Sequence, residues 1–258
     1  MVNMYKMNLF IFFFSLSVYS QKYDLKWAEE FNGHEINTKI WNFEKGFAKN
    51  NEQQFYTSQY KNARIENGIL IIEAHKEQYQ NSDYTSARIN TLNKKHFKYG
   101  RIEIRAKLPE GNGTWPAIWM LGKNHLTKGY PACGEVDIME HVGKSPGEIN
   151  SSVHYPEADN IRMNGATQNY NLPDSEDGFH KYAIEWDKKH ITYFINDIEY
   201  FTFNIDEANR KGRKNIFRKP FYLILNLALG GKWAGEIDDT IFPARFYVDY
   251  VRYYQLRD

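Results

Sequence analysis

Seven residues constrain the fold more than any others in this chain: Arg101-Ile102-Glu103-Ile104-Arg105-Ala106-Lys107. Apolar and charged side chains alternate strictly, a period of two that sets one strand face against a core and the other toward water. The same period recurs at Tyr182, Ile184 and Trp186. It recurs again at Leu223, Leu225, Leu227 and Leu229, interleaved with Tyr222, Ile224, Asn226 and Ala228. Ile191 to Ile195 runs through Asn196-Asp197 into Ile198 to Phe203, the pattern of a hairpin. Phe246 to Tyr254 is again β-branched and aromatic, and only the short stretch Ile205 to Lys211 invites a helix. Many strands and few helices predict an all-β chain, closed as a sandwich or barrel.

The beginning of the chain reads differently. Lys6 precedes an apolar run from Met7 to Val18, which is shorter than the ~20 residues a membrane-spanning helix needs. Followed by Val18-Tyr19-Ser20 before Gln21, it predicts a secretory signal over residues 1–20. Residues 21–258 are then expected to form a single domain, secreted to the periplasm or outside the cell, without membrane attachment and as a monomer. Lys and Arg outnumber Asp and Glu by 33 to 32, which argues against a nucleic-acid partner. The lone cysteine, Cys133, permits neither an intramolecular disulfide nor a cysteine-rich metal site. Aromatic residues are abundant at 16%, and most are expected to pack between two sheets.

The densest chemistry is Glu135-Val136-Asp137-Ile138-Met139-Glu140. Glu135 and Asp137, two apart, share a strand face, whereas Glu140 would point the other way. One extra residue at Ile138-Met139, a β-bulge, returns Glu140 to that face and sends Val136 and one of the bulge pair into the core. Three acids in a row repel, so one carboxyl is held protonated beyond its ordinary range. Glycoside hydrolysis needs one ionised and one protonated carboxyl, about 5–5.5 Å apart in a retaining enzyme. Taken alone, the six residues fit an acidic solvated edge or a calcium site equally well.

The surrounding blocks decide between these readings. Gly134 to His141 resembles the bulged signature of glycoside hydrolase family 16. Trp27-Ala28-Glu29-Glu30-Phe31-Asn32-Gly33, Asn50 to Thr57 and Gly113-Thr114-Trp115-Pro116-Ala117-Ile118-Trp119-Met120-Leu121 are similar to the same family, as are Phe179 to Trp186, Leu225 to Trp233 and Val248 to Gln255. The resemblance implies a β-jelly-roll, concanavalin A-like sandwich with a concave substrate cleft, and retaining hydrolysis of a β-linked polysaccharide. It assigns Glu135 as nucleophile, Glu140 as general acid/base and Asp137 as their helper. The tryptophan blocks resemble the laminarinase branch, which cuts β-1,3-glucan. Trp115, Trp119 and Trp233 would then stack on glucose rings, and Asn51, Arg88, His154 and Asn226 would bond hydroxyls; core packing is an equal reading for Trp119. Phe47-Ala48-Lys49 and His154-Tyr155 depart from the family's more frequent residues at places that shape subsites.

The resemblance also implies a structural calcium held by Glu30, the Gly68 carbonyl and Asp249, with no cofactor required for the chemistry. Other glycans stay open as substrates: mixed-linkage β-glucan, agar or porphyran, and carrageenan. So do transglycosylation and a non-catalytic lectin on the same sandwich, although the retained Glu135 and Glu140 argue against the lectin. Cys133 is expected to be a bystander thiol, Glu236 to Asp239 a solvated loop, and Trp186 a core residue. The spacing of Glu140, His141 and His154 fits no helical zinc motif.

Overall fold

In the computed structural model, residues 23–47, 49–157 and 162–257 are described; the expected signal segment lies outside them. Among the described residues the long strands form two sheets, of eleven and seven strands. The seven-stranded sheet holds the site, and its strands are β1 (Asn42–Phe43), β2 (Arg88–Asn90), β3 (Thr114–Gly122), β4 (Glu135–His141), β5 (Glu148–Pro156), β6 (Met163–Asn171) and β7 (Phe221–Leu229). They lie side by side in the order β6-β5-β4-β3-β7-β2-β1. The second sheet is built around Gly100–Lys107, with His180–Trp186 on one side and Ala244–Leu256 on the other.

Alternation explains how the two sheets meet. On β7, Leu223, Leu225, Leu227 and Leu229 are all fully buried, facing Leu70, Ile72, Ile102, Ile104, Tyr182, Ile184, Phe246 and Val248 of one core cluster. Each such side chain contributes roughly 1.5–3 kcal/mol on burial. Trp186 also lies in this core, where its indole N–H donates to the Phe217 carbonyl at 3.0 Å. The alternate residues Tyr222, Ile224, Asn226 and Ala228 are buried as well, because the other side of β7 is the floor of a cleft rather than open surface.

Two expectations need correction. The charged face of Gly100–Lys107 meets water only toward its Arg105 and Lys107 end: Arg101 is only 4% exposed and Glu103 8%. Arg101 pairs with Glu103 at 2.9 Å and Asp197 at 2.8 Å, and the Tyr250 hydroxyl donates to Glu103 at 2.8 Å. Mutual pairing makes this burial tolerable where lone charges would not be. The short helix expected from Ile205 to Lys211 is a single 3-10 turn, Ile205–Ala208, capped by the Asn204 side chain. By contrast the hairpin between His190–Ile195 and Ile198–Asn204 closes as expected, with Asn196 and Asp197 both at positive φ (49° and 68°). Such a two-residue turn matches the twist of its strands.

The expected calcium ligands have other partners. Strand register brings the ends of Tyr23–Glu29 and Ile69–Tyr79 alongside Val248 to Arg252, so the three segments are neighbours. Yet both Glu30 oxygens accept from Arg252, at 2.7 and 2.9 Å, and Asp249 pairs with Arg105 at 2.5 Å. Carboxylates already neutralised by guanidinium groups do not fit a cation as arranged here, which needs their oxygens free.

Candidate active site

The chemistry is concentrated on β4. Its neighbour β3 sets Leu121, Trp119 and Ala117 opposite Glu135, Asp137 and Glu140, while β5 sets His154, Ser152 and Asn150 opposite the same three acids. Both ladders shift between Asp137 and Glu140, where β4 has one residue more than either neighbour. This is a β-bulge, and it turns Glu140 to the face of the other two acids. The free Ile138 carbonyl accepts from Ser151 Oγ at 2.8 Å, so the disrupted ladder leaves no orphan there. Ile138 and Met139 both enter the core, not one of them as expected, because the bulge pair turns to the same side.

The three acids differ in surroundings. Asp137 is 2% exposed, and burial pushes its carboxyl well above the usual range. Burial, then the charge of Asp137, pushes Glu140 up to about 8; the Trp115 indole, donating to Glu140 Oε1 at 3.1 Å, opposes this only in part. Glu135 is raised by burial and by Asp137, and pulled back by His154 and Arg88. Of Glu135 and Asp137, Glu135 is the less enclosed. A proton on Asp137 removes the largest charge repulsion acting on Glu135 and leaves burial as the main influence that raises it.

Around them lies a cleft of about 810 Å³. All ten residues expected from the sequence to bind or react line it: Glu135, Asp137, Glu140, Asn51, Arg88, Trp115, Trp119, His154, Asn226 and Trp233. Trp115 and Trp233 meet edge to face with centroids 5.0 Å apart, forming one aromatic corner. Trp119 is half-buried, its indole donating to Asn226 Oδ1 at 2.7 Å and the Arg88 guanidinium lying 4.6 Å from its ring centre. Sequence reasoning missed Glu52, Glu44, His125 and Tyr130, which also line the cleft. Glu52 lay within the Asn50 to Thr57 block, but its role depends on partners far away in sequence.

Among the described residues, Glu135, Asp137 and His154 are the group whose ligand atoms, within 4.8 Å of one another, could hold a metal. The decoys separate cleanly. His141 turns from the cleft to Glu176, at 2.9 Å, so no zinc set forms with Glu140 and His154. Cys133 is buried, and burial pushes its thiol up to about 11, leaving it un-ionised at neutral pH. Asp238 caps a 3-10 turn and Asp239 bonds Tyr84 at 2.8 Å, both at the surface.

The model for glycosyl hydrolases family 16 matches residues 49–252. The chain belongs to this family. The family 16 chain is 40% identical to a beta-glucanase of Rhodothermus marinus, over 90% of its own length and 85% of that protein. It spans only 34% and 38% of two other curated relatives, so related proteins carry this unit both nearly alone and within longer chains. Among solved structures, a laminarinase from Flavobacterium sp. UMI-01 is 44% identical with a TM-score of 0.79, covering 90% of this chain and 100% of that one. A structure described with endo-acting O-glycanases of human gut microbiota, which initiate mucin breakdown, is 36% identical with a TM-score of 0.86, covering 91% of each chain. The two-sheet architecture is thus the family 16 jelly roll expected from the sequence.

Proposed function

We propose that this family 16 protein is a secreted, retaining endo-hydrolase of β-1,3-glucan, with residues 21–258 as one catalytic domain. The observation that carries this reading is the bulge-aligned trio of acids, unequally buried, on the floor of a cleft walled by Trp115, Trp119 and Trp233. The names of the beta-glucanase and laminarinase relatives support the substrate class.

In the first step a Glu135 oxygen attacks the anomeric carbon while Glu140 gives its proton to the departing glycosidic oxygen, leaving a glycosyl-enzyme and a shortened chain. In the second, Glu140 takes a proton from water, whose oxygen attacks the same carbon and frees Glu135. Two inversions give net retention. Asp137, kept protonated by burial beside Glu135, tunes how readily that carboxylate leaves. The aromatic corner of Trp115 and Trp233 offers apolar faces to sugar rings, and such contact costs little side-chain entropy.

Likeness to the mucin-associated structure supports a second reading, hydrolysis of another glycan by the same acids. Product analysis on laminarin, lichenan, agarose, carrageenan and mucin O-glycans separates the two. Oligosaccharides of mixed length from laminarin, released first as the β-anomer, are expected. Cleavage of another glycan with laminarin untouched would overturn the substrate, and first release of the α-anomer would overturn the mechanism.

A further inference from the structure

A chain of side-chain hydrogen bonds leads from the cleft floor to an acid that the reaction does not use. Trp119 Nε1 donates to Asn226 Oδ1 at 2.7 Å, Asn226 Nδ2 donates to the Tyr56 hydroxyl at 3.2 Å, and Tyr56 donates to Glu52 Oε2 at 3.1 Å. Gln54 Nε2 donates to the same Glu52 oxygen at 2.8 Å, and Gln54 Oε1 accepts from the Leu229 amide at 2.7 Å. A backbone bridge from Glu52 to Gly230 fixes the acid against the end of β7.

The direction of every link is forced. An indole N–H can only donate, so Asn226 must turn its oxygen to Trp119 and its amide hydrogens to Tyr56. The phenol oxygen, now accepting from Asn226, has one hydrogen, which goes to Glu52. Only an acceptor can end such a chain, and a carboxylate is the strongest available. Tyr56 is buried, as is Asn226, so neither can replace a lost partner with bulk water. Arg88 restrains the same Trp119 ring from another direction and is itself paired with Glu44 at 3.1 Å.

We propose that Glu52 is a positioning residue: the terminal acceptor that holds Tyr56, Asn226 and Trp119 in one arrangement, and so sets the sugar-binding surface on the Trp119 side of the cleft. This rests on the reading above that the cleft binds a β-glucan. Glu52 itself touches none of the reacting atoms in this account; it acts through the orientation of Trp119 and Asn226. Sugar binding on that side should therefore suffer more than bond cleavage when Glu52 is altered.

The test is a double-mutant cycle with laminari-oligosaccharides as substrate. Glu52→Ala is expected to raise KM about tenfold with a smaller fall in kcat, and Glu52→Asp to recover part of the loss. Tyr56→Phe, which keeps the ring but removes the link, should raise KM similarly. Glu52→Ala added to Tyr56→Phe or to Trp119→Ala should then raise KM little further, because the chain is already broken. An unchanged KM in Glu52→Ala, or full additivity with Trp119→Ala, would overturn the proposal. A second readout does not need turnover: the Trp119 emission, obtained by subtracting the Trp119→Phe spectrum, should shift in Glu52→Ala. If wild-type protein fails to cleave laminarin, the substrate reading falls, whereas the emission shift still decides the chain; no shift would overturn it.

Discussion

His154 Nε2 lies 3.3 Å from Asp137 Oδ2, so the imidazole on β5 reaches the most deeply buried of the three acids on β4. The same nitrogen is 4.0 Å from Glu135 Oε1. A group that becomes cationic on protonation thus stands beside Glu135 and Asp137, the proposed nucleophile and its helper, whereas the close partner of Glu140, the proposed acid/base, is the Trp115 indole. The asymmetry favours charge on the Glu135 side and a proton on Glu140, the division of labour that double displacement requires.

Replacing the acids should give two chemically distinct failures. Glu135→Ala and Glu140→Ala are each expected to lower kcat by at least a thousandfold with the circular dichroism spectrum unchanged. Added azide should restore turnover in both, yielding an α-glycosyl azide from Glu135→Ala and a β-glycosyl azide from Glu140→Ala. The same anomer from both variants would contradict the assigned roles.

Activity should fall as pH rises through about 8, because Glu140 must hold a proton to act as the acid. A kcat/KM profile on laminarin measures this limb directly. A plateau extending past pH 10 would show that the group lost at about 8 is not needed.

The same raised carboxyl makes a stability prediction of the same sense. Folded Glu140 keeps its proton to about 8, whereas in the unfolded chain it ionises near the ordinary ~4.3. Between these values the native state binds more protons, so its stability decreases as pH rises. Glu140→Gln has no proton to lose. It should match wild type in stability at pH 4 and exceed it at pH 8 by ~1–3 kcal/mol, read as a higher Tm, after allowance for the water that reaches this half-buried group. Equal Tm values at both pH values would show that burial does not act on Glu140 in this way.

The bulge can be tested by changing its length. Deleting Met139 leaves Glu, Asp and Glu at strict alternation, all still on the cleft face, and removes the shift from both neighbouring ladders. The deletion should keep measurable activity while losing ~2–5 kcal/mol of stability with the buried side chain. Inserting Ala after Met139 should instead turn the acid toward the core if the bulge is kept, or carry it two residues further along the strand if the bulge is lost, and abolish activity either way. Urea unfolding and laminarin assays on both variants check this, and an active insertion variant would contradict the bulge argument.

In the second sheet, Arg101→Ala should destabilise the fold by ~3–5 kcal/mol, since it strands the buried Glu103 without its guanidinium. Arg105→Ala, on the same strand face but more exposed, should cost under ~1 kcal/mol. Urea unfolding midpoints compare the two; equal losses would mean that burial does not set the value of these pairs.

The sequence by itself determined the all-β class, because a period of two is a local property that any strand writes into its own residues. It likewise placed Glu135 and Asp137 on one face, and the extra residue at Ile138-Met139 announced that Glu140 would join them. What it left undecided was everything set by partners distant along the chain. Alternation marked Arg101 and Glu103 as outward, but only the packed sheet revealed that Asp197 and Tyr250 close over them. The tryptophans were legible as candidates, whereas the chain from Trp119 through Asn226 and Tyr56 to Glu52 joins residues up to 170 positions apart. Hydrogen-bond direction, burial and the protonation of Glu140 are properties of an assembled cleft, where water is displaced and neighbours are fixed. Those only the tertiary structure could decide.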